Sequence, residues 1–178
     1  MNSEQPGTNL PNRHYPRLHN YDYSREGAYF ITVCTYERQT LFGEITDGSM
    51  HLNPYGEIVA SCWQELSQHY SSVTNETFIV MPNHFHGIII IDRERSGLKP
   101  DPTRVHALSE ILRGFKTFSA REINEIRNSQ GTPVWQRSFY EHIIRSESEH
   151  AKIGEYILFN PSKWETDEEN PKNVKIRR

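Results

Sequence analysis

Thiol chemistry has little to work with in this chain. Its two cysteines in 178 residues, Cys34 and Cys62, lie far apart and form no Cys-x-x-Cys unit. That excludes a disulfide framework and a thiolate zinc cluster, and a reducing cytoplasm is the expected location. Long apolar runs are missing too: the longest, Gly87 to Ile91, falls far short of the roughly 20 residues that cross a bilayer, so no membrane role is expected. The first twenty residues are polar, punctuated by Pro6, Pro11 and Pro16, and offer no apolar stretch suited to a secretory signal. A positive surplus is absent as well. The formal net charge of −3 argues against holding nucleic acid by bulk electrostatics.

What is present is unevenly placed. From Arg104 to Arg145 seven basic side chains face four acidic ones, while Glu165, Asp167, Glu168 and Glu169 gather near the other end. Such a split fits a local phosphate-binding face, and equally a solvated helix flank.

Hydrophobic period orders the chain. Ala28 to Thr35, rich in aromatic and β-branched residues, reads as a first strand reaching toward Phe42. Asn53-Pro54 marks a helix start, followed by Ile58, Val59, Cys62, Trp63 and Leu66 at helical spacing. Thr77 to Met81 and His84 to Ile91 read as two strands around a tight Pro82-Asn83 turn, and a second helix runs from about Ser109 to Arg127. After Gly131-Thr132-Pro133 the stretch Val134 to Ile144 contains a strand. Ser146 with Glu149 then forms a capping-box signature for a third helix, which ends near Asn160 because of Pro161. The expected fold is α+β and ferredoxin-like: a β-α-β-β-α-β order, an antiparallel sheet with helices packed on one face, then a C-terminal helix. Residues 1–20 read as a polar arm, 21–164 as a single domain and 165–178 as a charged tail.

Two clusters carry chemistry. His84 and His86 are two apart on a strand, so both imidazoles share one face while Phe85 takes the other. With nine histidines in the chain, such a pair arises by chance in roughly four chains of ten, so it needs a partner cluster. The third helix supplies one: Tyr156 and Asn160 stack four apart, with Lys152 a turn earlier.

In order along the chain, the motifs resemble those of the REP-associated tyrosine transposases, within the single-tyrosine HUH transposases (the transposase IS200-like group). They are Tyr21-Asp22-Tyr23-Ser24, Gly27 to Thr35, Val80 to Gly87 with the histidine pair, and Phe115-Lys116, followed by Trp135-Gln136-Arg137, Tyr140 to Arg145, Tyr156-Ile157 and Asn160-Pro161. The resemblance implies that His84, His86 and Asn160 bind a divalent metal ion, Mg or Mn, and that Tyr156 on the C-terminal helix is the nucleophile. His142 is an alternative ligand or a supporting partner of that centre, Lys152 joins Tyr156 and Asn160 on one stripe suited to handling phosphate, and Tyr140 is expected to pack. The resemblance further implies a bacterial protein acting on single-stranded or hairpin DNA of the REP type.

A cation held by two imidazoles and an amide oxygen withdraws charge from a scissile phosphate. A phenol with an ordinary pKa near 10 is a better anion and a better leaving group than a serine hydroxyl. The expected activity is therefore metal-dependent single-strand DNA cleavage and strand transfer through a 5'-phosphotyrosine, with no nucleotide cofactor. Arg113, Lys116, Arg121 and Arg127, with Lys172, Lys175, Arg177 and Arg178 in the tail, are the candidates for DNA phosphates. Two alternatives stand beside this reading: a DNA-hairpin-binding protein without catalysis, and a zinc hydrolase using His84, His86 and His142. Tyr156 serving its own chain and Tyr156 serving a partner in an exchanged homodimer are equally compatible with the sequence.

Overall fold

The structure, a computed structural model, describes residues 26–92, 106–167 and 169–173. Its elements are β1 (Gly27–Cys34), β2 (Gly43–Thr46), β3 (Ser49–Leu52), α1 (Pro54–Gln64), α2 (Leu66–His69), β4 (Val73–Val80), β5 (His84–Ile91), α3 (Leu108–Ile126), β6 (Tyr140–Ile144) and α4 (Glu147–Phe159). The main sheet has the order β4-β5-β1-β6 with antiparallel pairing throughout. This is the α+β, ferredoxin-like arrangement with a C-terminal helix added. Tyr21 to Ser24, Arg104, Lys175, Arg177 and Arg178 lie outside the described residues.

The sheet is covered on both sides. Tyr29, Ile31 and Val33 of β1, with Phe85 and Ile89 of β5, pack against Val59, Cys62 and Trp63 of α1 and Leu112 and Phe115 of α3. The opposite side chains, Phe30 and Ile88, meet Ile157 of α4. Alternation along the two central strands therefore decides which residues enter the main core and which face α4. Gly87 is needed on the core side: a Cβ there would lie 2.7 Å from a ring carbon of Trp63.

The helix starts follow local chemistry. Asn53 caps α1, its Oδ1 accepting from the Tyr55 and Gly56 amides at 3.0 and 3.1 Å. Ser146 caps α4 by accepting from the Glu149 amide at 3.2 Å, while the Glu149 carboxylate reaches back to the Arg145 N–H at 2.7 Å. That is one residue earlier than an ideal capping box requires.

Three expectations need correction. The first strand does not run on toward Phe42: Tyr36–Arg38 form a 3-10 turn with Glu37 and Arg38 at positive φ. A separate hairpin, β2–β3, follows, turned at Asp47-Gly48, both also at positive φ. β4 begins at Val73 rather than Thr77, because an irregularity between Asn75 and Phe78 breaks its alternation. α4 ends next to Asn160 as expected, but not for the expected reason: Asn160 keeps helical dihedrals (φ −58, ψ −42) despite preceding proline, and the chain continues as a 3-10 helix over Pro161–Thr166. Burial of Asn160 and Pro161 overrides the local preference.

Candidate active site

The histidine pair opens β5, a central strand flanked by β1 and β4. His84 and His86 are essentially buried, their ring centroids 4.6 Å apart, on the face that meets α4. His86 Nδ1 lies 2.8 Å from the Thr32 hydroxyl, and its ring stacks on Phe30 at 5.3 Å. His84 Nδ1 lies 2.9 Å from Asn83 Oδ1, and the Trp164 ring sits 6.0 Å away. Burial pushes the His86 pKa down to about 3. Burial likewise holds His84 well below its ordinary value, with the charges of His86 and Arg38 adding to the effect. Both rings are therefore neutral near pH 7, the form in which imidazole binds a metal.

α4 carries the second cluster across the same face. The Tyr156 phenol oxygen is 3.5 Å from His86 Nε2 within a single chain. The Tyr156 ring packs edge-on against Phe30 at 6.0 Å and lies 5.4 Å from the His86 ring. Tyr156 is 42% exposed whereas Asn160, one turn on, is 1% exposed. One helix thus presents a solvent-reachable phenol and a dry amide to the same pair. The Asn160 amide is close enough to His84 to favour the charged ring. Even so, neither His84 Nε2 nor Asn160 Oδ1 has a hydrogen-bond partner.

That pair of orphaned, buried acceptors is a direct test of whether a metal fits. A neutral imidazole nitrogen and an amide oxygen left dry and unpaired are costly, and a divalent cation satisfies both without adding a proton. The donor set of two imidazole nitrogens and an amide oxygen suits Mn or Mg. Cys34 pairs with His84 across β1 and β5, but its thiol is directed to the Glu169 carboxylate, and burial with that carboxylate pushes its pKa up to about 12.

The other candidates separate. His142 does not reach the pair; its Nε2 is engaged by Glu149 at 2.8 Å. Among the described residues no group of three or more His, Cys, Asp or Glu side chains converges to hold a metal, so the zinc reading loses its third ligand. Lys152 is exposed on the Tyr156 stripe of α4, and Tyr140 packs against Phe30. Of the four helix cations, two are engaged with the backbone. Lys116 Nζ donates to the Gln136 and Arg137 carbonyls at 2.5 and 2.8 Å, and Arg127 donates to Asn124 Oδ1 and to the Thr132 carbonyl at 2.7 and 3.0 Å. Arg113, 3.8 Å from Glu110, and Arg121 are exposed and line an open concavity of about 890 Å³ between α3 and the segment before β6. Lys172 is exposed.

Sequence reading missed Asn83, Thr32 and Glu169 as members of this neighbourhood. Asn83 carried a signal, its place directly before His84, but it reads as a turn residue. Glu169 carried none, because its contact with Asn83 spans 86 positions.

No family model matches the chain. An uncharacterized protein of Haemophilus influenzae is 39% identical over 166 residues, covering 85% of this chain and 89% of that protein. A second protein of the same organism, named as a candidate REP-associated tyrosine transposase, is 25% identical over 143 residues, covering 80% of this chain and 74% of its own length. A solved REP-associated tyrosine transposase bound to a REP hairpin shares the fold with a TM-score of 0.56 at 19% identity, over 83% of this chain and 73% of that one. Among the described residues no helix is long and apolar enough to cross a membrane. Over most of its length the chain is thus similar in sequence to a protein named as a REP-associated tyrosine transposase, and it shares the fold of a solved one.

Proposed function

We propose that this protein is a metal-dependent single-strand DNA endonuclease and strand transferase that acts on hairpin-forming, REP-like DNA. The observation that carries the reading is the convergence of the Tyr156 phenol on a buried histidine pair, 3.5 Å from His86, beside two acceptor atoms that lack partners. The bound REP hairpin of the solved relative points to the same class of substrate.

In this reading His84, His86 and Asn160 hold the metal ion, which when bound neutralises charge on the scissile phosphate. Tyr156 supplies the nucleophile. Its exposure lets the phenol oxygen meet a phosphate arriving from solvent, and the edge-on contact with Phe30 fixes the ring. The phenol gives its proton to solvent as its oxygen bonds to phosphorus; the bond to the 3' oxygen breaks, and that oxygen leaves as a 3'-hydroxyl after taking a proton. The 5'-phosphate stays on Tyr156, ready for attack by a second 3'-hydroxyl. The 3.5 Å approach of the phenol to His86 within one chain supports a nucleophile that serves its own chain's histidines.

The test is adduct formation. Protein mixed with a hairpin oligonucleotide bearing a single-stranded flank, with Mn²⁺ or Mg²⁺, is expected to give a species that survives denaturing electrophoresis, and Tyr156→Phe is expected to give none. The same adduct from Tyr156→Phe would overturn the nucleophile assignment. Hairpin binding with no adduct in either metal would favour a binding protein instead.

A further inference from the structure

Resting on the metal reading above, we infer that Asn83 is a positioning residue that fixes His84 in its metal-binding tautomer. Its own orientation is set by backbone carbonyls, one of them from the segment that follows α4. Asn83 is fully buried, and its Nδ2 donates to the Glu169 carbonyl at 2.7 Å and to the Arg38 carbonyl at 3.2 Å. Both partners are carbonyl oxygens that can only accept, so the amide NH2 must face them and Oδ1 must face the other way. Oδ1 is the atom 2.9 Å from His84 Nδ1.

An amide oxygen carries no hydrogen, so the hydrogen of that bond belongs to His84 Nδ1. In a neutral imidazole this leaves the lone pair on Nε2, which is the buried atom without a partner. The opposite tautomer would set two lone pairs against each other between Nδ1 and Asn83 Oδ1. Turning the Asn83 amide round would instead point its oxygen at two carbonyls. Either change leaves buried polar groups unsatisfied.

Both ends of Asn83 are pinned. Its backbone carbonyl accepts from the Thr35 N–H at 2.9 Å and from the Thr35 hydroxyl at 3.0 Å. Glu169 is itself held where its carbonyl is needed, because its carboxylate forms an ion pair with Arg38 and accepts from the Cys34 thiol at 3.6 Å. The arrangement is that of a metal-ligating histidine whose other nitrogen is held by an outer partner, and here part of the holding comes from the far end of the chain.

Two readouts test this, one without metal. In the metal-free wild-type protein, ¹⁵N NMR of the assigned imidazoles is expected to show His84 protonated at Nδ1; protonation at Nε2 instead would overturn the inference. Electron paramagnetic resonance titration with Mn²⁺ is expected to show Asn83→Leu, folded by circular dichroism, binding roughly 10–100-fold more weakly than wild type, with the Nδ1–H tautomer lost. Asn83→Asp keeps an acceptor against Nδ1 and is expected to keep the tautomer, with affinity lowered because its second oxygen opposes the Arg38 and Glu169 carbonyls. A folded Asn83→Leu with wild-type tautomer and affinity, or a folded Asn83→Asp with the Nε2–H form, would overturn the role. A wild-type protein with the Nδ1–H tautomer but no affinity for millimolar Mn²⁺ would sink the metal reading itself and this role with it.

Discussion

Two neutral histidines buried without charge partners make the metal-free protein sensitive to acid in a way that can be worked out in advance. In the unfolded chain both rings take protons near pH 6.5. In the folded chain burial delays protonation of His86 to about pH 3 and of His84 to well below its ordinary value. Between those limits the unfolded state binds more protons, so stability is fully present above pH 6.5 and falls as pH drops toward 3. His86 alone contributes about 1.4 kcal/mol per pH unit, or about 3 kcal/mol between pH 6.5 and 4.5, and His84 adds in the same direction. A loss of that size is a large share of the total stability of a domain, about 5–15 kcal/mol. Urea unfolding in chelator at several pH values, for wild type and for the double variant His84→Gln, His86→Gln, isolates the effect because titration of the surface carboxylates cancels in the difference. The wild-type slope is expected to exceed that of the variant by at least about 1.4 kcal/mol per pH unit, the share of His86, with His84 adding to it. Parallel slopes would refute the conclusion that both rings are folded in the neutral state.

Other perturbations have equally definite outcomes. Gly87→Ala drives a methyl group to 2.7 Å from Trp63 with the Phe85 ring at 2.9 Å behind it, and is expected to destabilise by about 1–3 kcal/mol; an unchanged melting temperature would mean that Trp63 has room to yield. Arg121→Ala is expected to weaken hairpin-DNA binding and flatten its salt dependence. Arg127→Ala frees the Asn124 and Thr132 oxygens and is expected to lower stability by about 1 kcal/mol with the salt slope unchanged. Binding titrations at several salt concentrations separate the two, and an exchange of their effects would show that the roles are reversed.

The parts of this molecule legible in its sequence are those whose signal is local. α1, α3 and α4 announce themselves by cap residues and period, and β1 and β5 by dense β-branched and aromatic runs. The β2–β3 hairpin escaped because strands of four residues are too short to show alternation, although Asp47-Gly48 marks its turn. Half of β4 escaped because Thr74, Asn75 and Glu76 are polar and precede an irregularity in pairing. At the site, His84, His86, Tyr156 and Asn160 were legible as residue types at strand and helix spacing. The groups that hold them were not. The bond of Asn83 to the Glu169 carbonyl depends on where the chain returns after α4, and no spacing rule encodes that. Lys116 and Arg127 illustrate the reverse error, since charge alone cannot distinguish a cation offered to phosphate from one engaged by carbonyls.

The division of the centre between a strand and a helix follows from what its two halves must do. Metal-binding atoms need dryness and fixed orientation, and β5, paired on both edges and covered on both faces, supplies them. A nucleophile that must reach an incoming DNA strand and then carry it covalently needs access, and only an outer element provides that. α4 is such an element: Ile157 is its buried apolar anchor, and its earlier turns are tied down by His142–Glu149 and His150–Glu76, partly exposed pairs at 2.8 and 2.6 Å. Pairs of this kind hold weakly, so α4 is the less firmly fixed half of the site. The distance between the halves is instead set through Phe30, whose ring touches His86, Tyr140 and Tyr156 at once. Cutting that ring back to alanine would remove the spacer between ligand and nucleophile while leaving the hydrogen bonds around both histidines in place. Metal affinity would then persist while the rate of adduct formation falls.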